Sequence, residues 1–90
     1  MSQAIVDPTD LRRFAANLKR FNADLQAGLA GLHGQLVGLG DTWRDQEHDR
    51  FRQEFETTMQ VLERFLEVSA EHIPFLLRKA ERIEEYLSQR

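Results

Sequence analysis

A chain of 90 residues, 41% hydrophobic and 30% charged, is sized for one small globular domain and excludes both a disordered segment and a membrane-spanning bundle. Twelve Lys and Arg against fifteen Asp and Glu leave a formal charge of -3, without the basic excess that a phosphate backbone attracts, so nucleic acid is not an expected partner. With no cysteine there are no disulfides, thiolate nucleophiles or Cys-ligated zinc, and stability has to come from packing within or between chains.

The opening Met1-Ser2-Gln3-Ala4 has neither the basic start nor the apolar run of a signal peptide, and no stretch nears the roughly 18 apolar residues of a membrane span. Cytoplasmic synthesis is the expectation. Asp7-Pro8-Thr9-Asp10 then predicts a helix start: Asp7 can cap a free N–H, Pro8 suits the first turn, and Asp10 favours the positive dipole end. Leu11, Phe14, Leu18, Phe21 and Leu25 alternate steps of three and four, and Leu29, Leu32, Leu36 and Leu39 resume after one extra step of four. One helix over 8–39 fits all nine. Ala16, Ala23, Ala27, Ala30 and Gly34 fall opposite that stripe, as helix-favouring residues or as a surface for a further helix.

Gly40, Asp41 and Thr42 interrupt the pattern, and Thr42 with Asp45 resembles a capping pair, so a turn is expected over 40–43. A second helix over 44–88 carries Phe51, Phe55, Met59, Leu62, Leu66, Ile73, Leu76, Ile83 and Leu87 on one stripe, with Ser69 and Ala80 at its weaker positions. Pro74 predicts a kink or break, since it lacks an amide donor and crowds the preceding turn. Arms running from Pro8 to Leu39 and from Arg44 to Pro74 would match, each on the order of 46 Å long. The residues after Pro74 would then overhang. Leu76, Leu77, Ile83, Tyr86 and Leu87 form a candidate docking stripe there.

The expected fold is all-α: a single antiparallel helical-hairpin domain. Two helices cannot surround a core, so two hairpins are expected to dimerise into a four-helix bundle, with Leu18, Leu25, Leu29, Phe55 and Leu62 in the core. The glycines at 28, 31, 34 and 38 would each cost about 1 kcal/mol against alanine, which calls for close approach of a neighbouring helix or fraying toward the turn. Trp43 is a large apolar group where loops are normally polar, and it is expected to plug the hairpin end beside Leu39 and Phe51 or to meet a partner.

Chemistry-bearing constellations are sparse. His33, His48 and His72 share no motif, and Asp45-Gln46-Glu47-His48 supplies one copy of a carboxylate–histidine spacing that a di-metal bundle needs twice. No nucleophile elbow, phosphate loop or dinucleotide fingerprint is present. No enzyme activity, cofactor or metal is expected, and a metal-dependent helical enzyme is the remote alternative.

Two amphipathic helices, no cysteine, and a central turn with Trp43 followed eight residues later by the aromatic Phe51 resemble the WXG family of type VII secretion across nearly the whole chain. Trp43-Arg44-Asp45 has Asp where that family's third motif position is Gly, and Asp45 can cap a helix where glycine supplies a permissive turn. The resemblance implies a non-enzymatic dimeric hairpin, paired with itself or a related chain, and either exported without a cleaved signal or acting as escort to a larger effector or secretion component. It also implies an export tail of Tyr followed four residues later by an acidic residue. Here the residue four after Tyr86 is Arg90. An unrelated cytosolic adaptor or small chaperone is the alternative.

Overall fold

In the computed structural model, which describes residues 6–89, Asp7 Oδ1 accepts a hydrogen bond from the Thr9 amide at 2.8 Å, and Pro8 fills the first helical position. From there α1 spans Pro8–Leu39, and α2 spans Gln46–Ser88. Among the described residues there is no strand. The expectations for Met1 to Ala4 and for Arg90 concern residues outside the described range.

The end of α1 tightens into bonds of 3.0 to 3.1 Å from the amides of Gly40, Asp41 and Thr42 to the carbonyls of Val37, Gly38 and Leu39. The turn is longer than the expected 40–43, because the cap of α2 is not Thr42. Asp45, with φ -103°, ψ 178°, sits outside the helix and accepts the His48 amide at 3.0 Å, so α2 begins at Gln46. Thr42 instead turns its hydroxyl back to the Leu39 carbonyl at 3.5 Å.

Three side-chain pairs span the hairpin. Arg12 meets Glu84 at 2.6 Å, Asn22 meets Ser69 at 2.6 Å, and His33 meets Glu56 at 2.8 Å. The seam between the helices follows the heptad rule of steps of four and three. On α2 it runs His48, Arg52, Phe55, Met59, Leu62 and Leu66, then Ser69, Ile73, Leu76, Ala80 and Ile83, all buried or half-buried. On α1 it runs Leu11, Ala15, Leu18, Asn22, Leu25, Leu29, His33 and Leu36.

The expected stripe of α1 is therefore half right. Leu11, Leu18, Leu25, Leu29 and Leu36 face α2, whereas Phe14, Phe21, Leu32 and Leu39 lie one residue earlier, about 100° round the helix, and stay exposed. Ala15 and Asn22 occupy the seam in place of the phenylalanines. Small side chains let the two backbones approach, which a row of aromatics would prevent.

The tail departs most from expectation. It is not an uncovered overhang: Ala80 is 0% exposed, Leu76 and Ile83 are half-buried in the seam, and Glu84 is clasped by Arg12 near the start of α1. Leu77, Tyr86 and Leu87 remain exposed. The helix is not broken at Pro74, which lies exposed with Ala70, so the Ala70 carbonyl that loses its intrahelical donor can turn to water.

The hairpin measures 68 × 24 × 15 Å, one helix thick and two wide. Its radius of gyration is 20.1 Å, against about 12 Å for a compact domain of this length. No large side chain is fully buried among the described residues.

Candidate functional site

At the closed end, the plug is His48 rather than Trp43. His48 is 4% exposed, with Nε2 3.1 Å from the Leu36 carbonyl, which makes that nitrogen the protonated donor. The Trp43 ring packs edge-on against it, centroids 4.9 Å apart, and stays half-buried, while its amide bonds the Leu39 carbonyl at 2.7 Å. Phe51, expected beside Trp43, stacks on Phe55 instead with centroids 6.4 Å apart, and Leu39 is exposed. Gly40 makes room for this plug: a Cβ there would lie 3.1 Å from the Val37 carbonyl oxygen and 3.4 Å from His48 Cε1. By contrast, a Cβ at Gly28, Gly31, Gly34 or Gly38 would have nothing within 4 Å, so neither close approach within the hairpin nor fraying accounts for these glycines.

The motif residues thus divide their work. Trp43 lids the plug, Asp45 caps α2, and Arg44 is exposed at the rim of a shallow recess beside Trp43. Asp45 and His48 are engaged with the backbone rather than turned toward a common ion. Among the described residues no three His, Asp or Glu side chains gather as metal ligands would.

Along the length of the hairpin the two broad faces differ. One residue before the seam positions, or before their continuations at Gly40 and Leu87, α1 presents Phe14, Phe21, Leu32 and Leu39, and α2 presents Phe51, Val61, Phe65, Phe75 and Tyr86, all exposed and interspersed with polar residues. The rings of Phe21 and Phe65 meet edge-on at 6.4 Å, which places both rows on the same side of the seam. Single exposed apolar side chains are ordinary, but two adjoining rows of them are not.

One residue after each seam position the surface mixes charged side chains with small ones, Ala16, Ala23, Ala30 and Gly34, and with exposed Val37 and Leu77. Arg12 and Glu84 bond there, and Glu56 meets His33 of the seam at 2.8 Å and lies 3.8 Å from Arg52. The hydrogen bond and charge of Arg12 pull the Glu84 carboxyl below its ordinary 4.5, and the His33 hydrogen bond does the same to Glu56. Glu84 in turn raises the Arg12 guanidinium.

The expected core residues sit in the intrachain seam: Leu29 is buried, and Leu18, Leu25, Phe55 and Leu62 are half-buried. Sequence reasoning missed His48, the Asn22–Ser69 pair and the phase of the aromatic row. His48 was discoverable, since stepping back three and four from Phe55 through Arg52 lands on it.

A family model described as "WXG100: Proteins of 100 residues with WXG" matches residues 3–86. No curated protein gives a significant match. Among solved structures, selenomethionine-labelled EsxB, a secreted protein from Bacillus anthracis str. Sterne, is 23% identical, with 96% of this chain and 98% of that chain covered at a TM-score of 0.77. Wild-type EsxB from the same organism, in space group P21, is 24% identical, with 91% and 94% covered at a TM-score of 0.75. These likenesses are of fold: a two-helix hairpin of the same layout.

Proposed function

This chain belongs to the WXG100 family, and on that premise we propose that it is a non-enzymatic pairing module of a type VII-like secretion pathway, serving as substrate or as escort. The observation that carries the reading is the aromatic face. Among the described residues, nine exposed large hydrophobics lie on one side of a layer only 15 Å thick. A second helical layer laid on that face would build the four-helix bundle that one hairpin cannot close. Its occupant is a second copy or a related WXG-like chain. Trp43 and Asp45 hold the closed end with Arg44 exposed beside them, and exposed Tyr86 with Leu87 at the open end is left for a secretion component or larger effector.

Two arms test the proposal. Pairing is measured by light scattering on the purified chain, alone and mixed with any related small chain co-expressed with it. Export is measured by the chain's appearance in culture medium and its loss when the secretion machinery is disabled. A chain that stays in the cell, escorts nothing outward and does not co-purify with the machinery would favour the cytosolic adaptor reading instead.

A further inference from the structure

The broad face opposite the aromatic rows is acidic along α2 and, over its closed half, uncharged along α1. One residue after its seam positions α2 carries Asp49, Glu56, Glu63, Glu67, Glu81 and Glu84 and no cation. Toward the closed end α1 sets Gln26, Ala30, Gly34 and Val37 beside them. Between the two rows lies a groove of about 440 Å³, lined by Leu29, Ala30, Met59 and Leu66, with Glu63 and Glu67 on its α2 side. Small residues leave it open: a Cβ at Gly34, one turn beyond Ala30, would meet nothing within 4 Å. Arg64 reaches Glu67 at 3.3 Å, and His33 and Arg52 attend Glu56, whereas Glu63 has no ion-pair partner among the described residues. Among the described residues, the cations of these two rows are Arg12, held by Glu84, and Lys19, both toward the open end.

Resting on the escort role proposed above, we propose that this groove seats a cationic amphipathic helix of the protein that the chain accompanies. Glu56 and Glu63 are seven residues and so about 10 Å apart along α2, and Glu67 follows one turn later, which matches Lys or Arg repeating at heptad spacing on an incoming helix. Large apolar side chains on the adjoining stripe of that helix fit over Ala23, Ala30 and Gly34, where small residues let a third backbone approach and Leu29, Met59 and Leu66 offer apolar contact. Charge decides the occupant. The aromatic face carries both signs, Glu47 and Glu54 with Lys79 and Arg82, and selects neither, whereas a row of one sign favours an opposite row and opposes its own. A hairpin paired through its aromatic rows keeps this groove outside the bundle, so pairing and escort use different surfaces.

Two three-heptad synthetic helices serve as probes, alike in an apolar Leu stripe, one flanked by Lys and the other by Glu, each followed by fluorescence anisotropy as the full chain is added at low salt. The Lys helix is expected to bind and the Glu helix not to. Glu63→Lys with Glu67→Lys, and separately Ala30→Trp, which fills the groove without changing charge, are each expected to weaken binding of the Lys helix by roughly tenfold or more. Glu47→Lys with Glu54→Lys changes net charge equally on the other face and is expected to leave the affinity nearly unaltered. All these positions are exposed, and circular dichroism of each variant separates a folding defect from lost docking. No binding of the Lys helix, equal loss from the two glutamate pairs, or indifference to Ala30→Trp overturns the proposal. A chain that pairs and is exported while failing these arms loses the groove alone. A chain that binds the Lys helix as expected, yet is neither exported nor found with the secretion machinery, keeps the groove and loses the secretion reading.

Discussion

His48 shows how one side chain can decide the closed end of a hairpin. Its imidazole is enclosed by Gly40 and Trp43, and its Nε2–H satisfies the Leu36 carbonyl, so truncation removes both a buried hydrogen bond and the surface on which Trp43 rests. His48→Ala is expected to destabilise the chain by about 1 to 3 kcal/mol, and native Trp43 emission should shift toward longer wavelength. A melt and a fluorescence spectrum check this together. The glycines give predictions of opposite sign. Gly34 lies exposed in α1 with open space where a Cβ would stand, so Gly34→Ala is expected to stabilise by about 0.5 to 1 kcal/mol. Gly40→Ala meets the Val37 carbonyl oxygen and His48, and is expected to lower the melting temperature.

At the scale of the element, the helices are legible in the sequence where steric rules are local. Asp7-Pro8 starts α1 as capping chemistry demands, and the seam of α2 from Phe55 to Ile83 follows its apolar heptads with Ser69 and Ala80 included. The phase of α1 is not legible. Hydrophobic period assigns every large apolar residue to one stripe, whereas the seam of a two-helix layer is set by what lets backbones approach. Ala15 and Asn22 therefore displace Phe14 and Phe21. Asn22 donates to Ser69 in the middle of an apolar seam, a contact of the kind that fixes which turns face each other. Leu29, by contrast, is buried in the ordinary way, and Leu29→Ala is expected to cost about 2 to 5 kcal/mol in a denaturant melt.

Arm length misplaces the tail, because helix axes alone do not decide reach. The long side chains of Arg12 and Glu84 close the gap at the open end. Since Arg12 holds the folded-state Glu84 carboxyl below its ordinary value, the pair contributes stability above the unfolded carboxyl pKa, and loses it as pH falls through the lowered folded value. The stability difference between wild type and Glu84→Gln should accordingly be present at neutral pH and vanish in acid. Both partners are well exposed, so added salt should shrink it as well.

At the scale of the whole molecule, the hairpin by itself encloses no core, and on the pairing proposed above it is one half of a larger one. The absence of any fully buried large side chain among the described residues, the 15 Å thickness and the one-sided aromatic rows are consequences of the same fact: each helix of a pair meets only one neighbour. The expectation that a hairpin pairs follows from its length and stripe width. Which face is left apolar is not legible, because that depends on the phase of α1. If pairing completes the core, stability should rise with protein concentration by mass action, visible as a melting temperature that increases on going from low to high micromolar protein. Sedimentation equilibrium on the wild-type chain beside Phe21→Ser with Phe65→Ser addresses the central claim most directly. The account predicts twice the chain mass for the wild type and a soluble, helical single-chain mass for the variant; an aromatic-face variant that sediments as the wild-type dimer would contradict it.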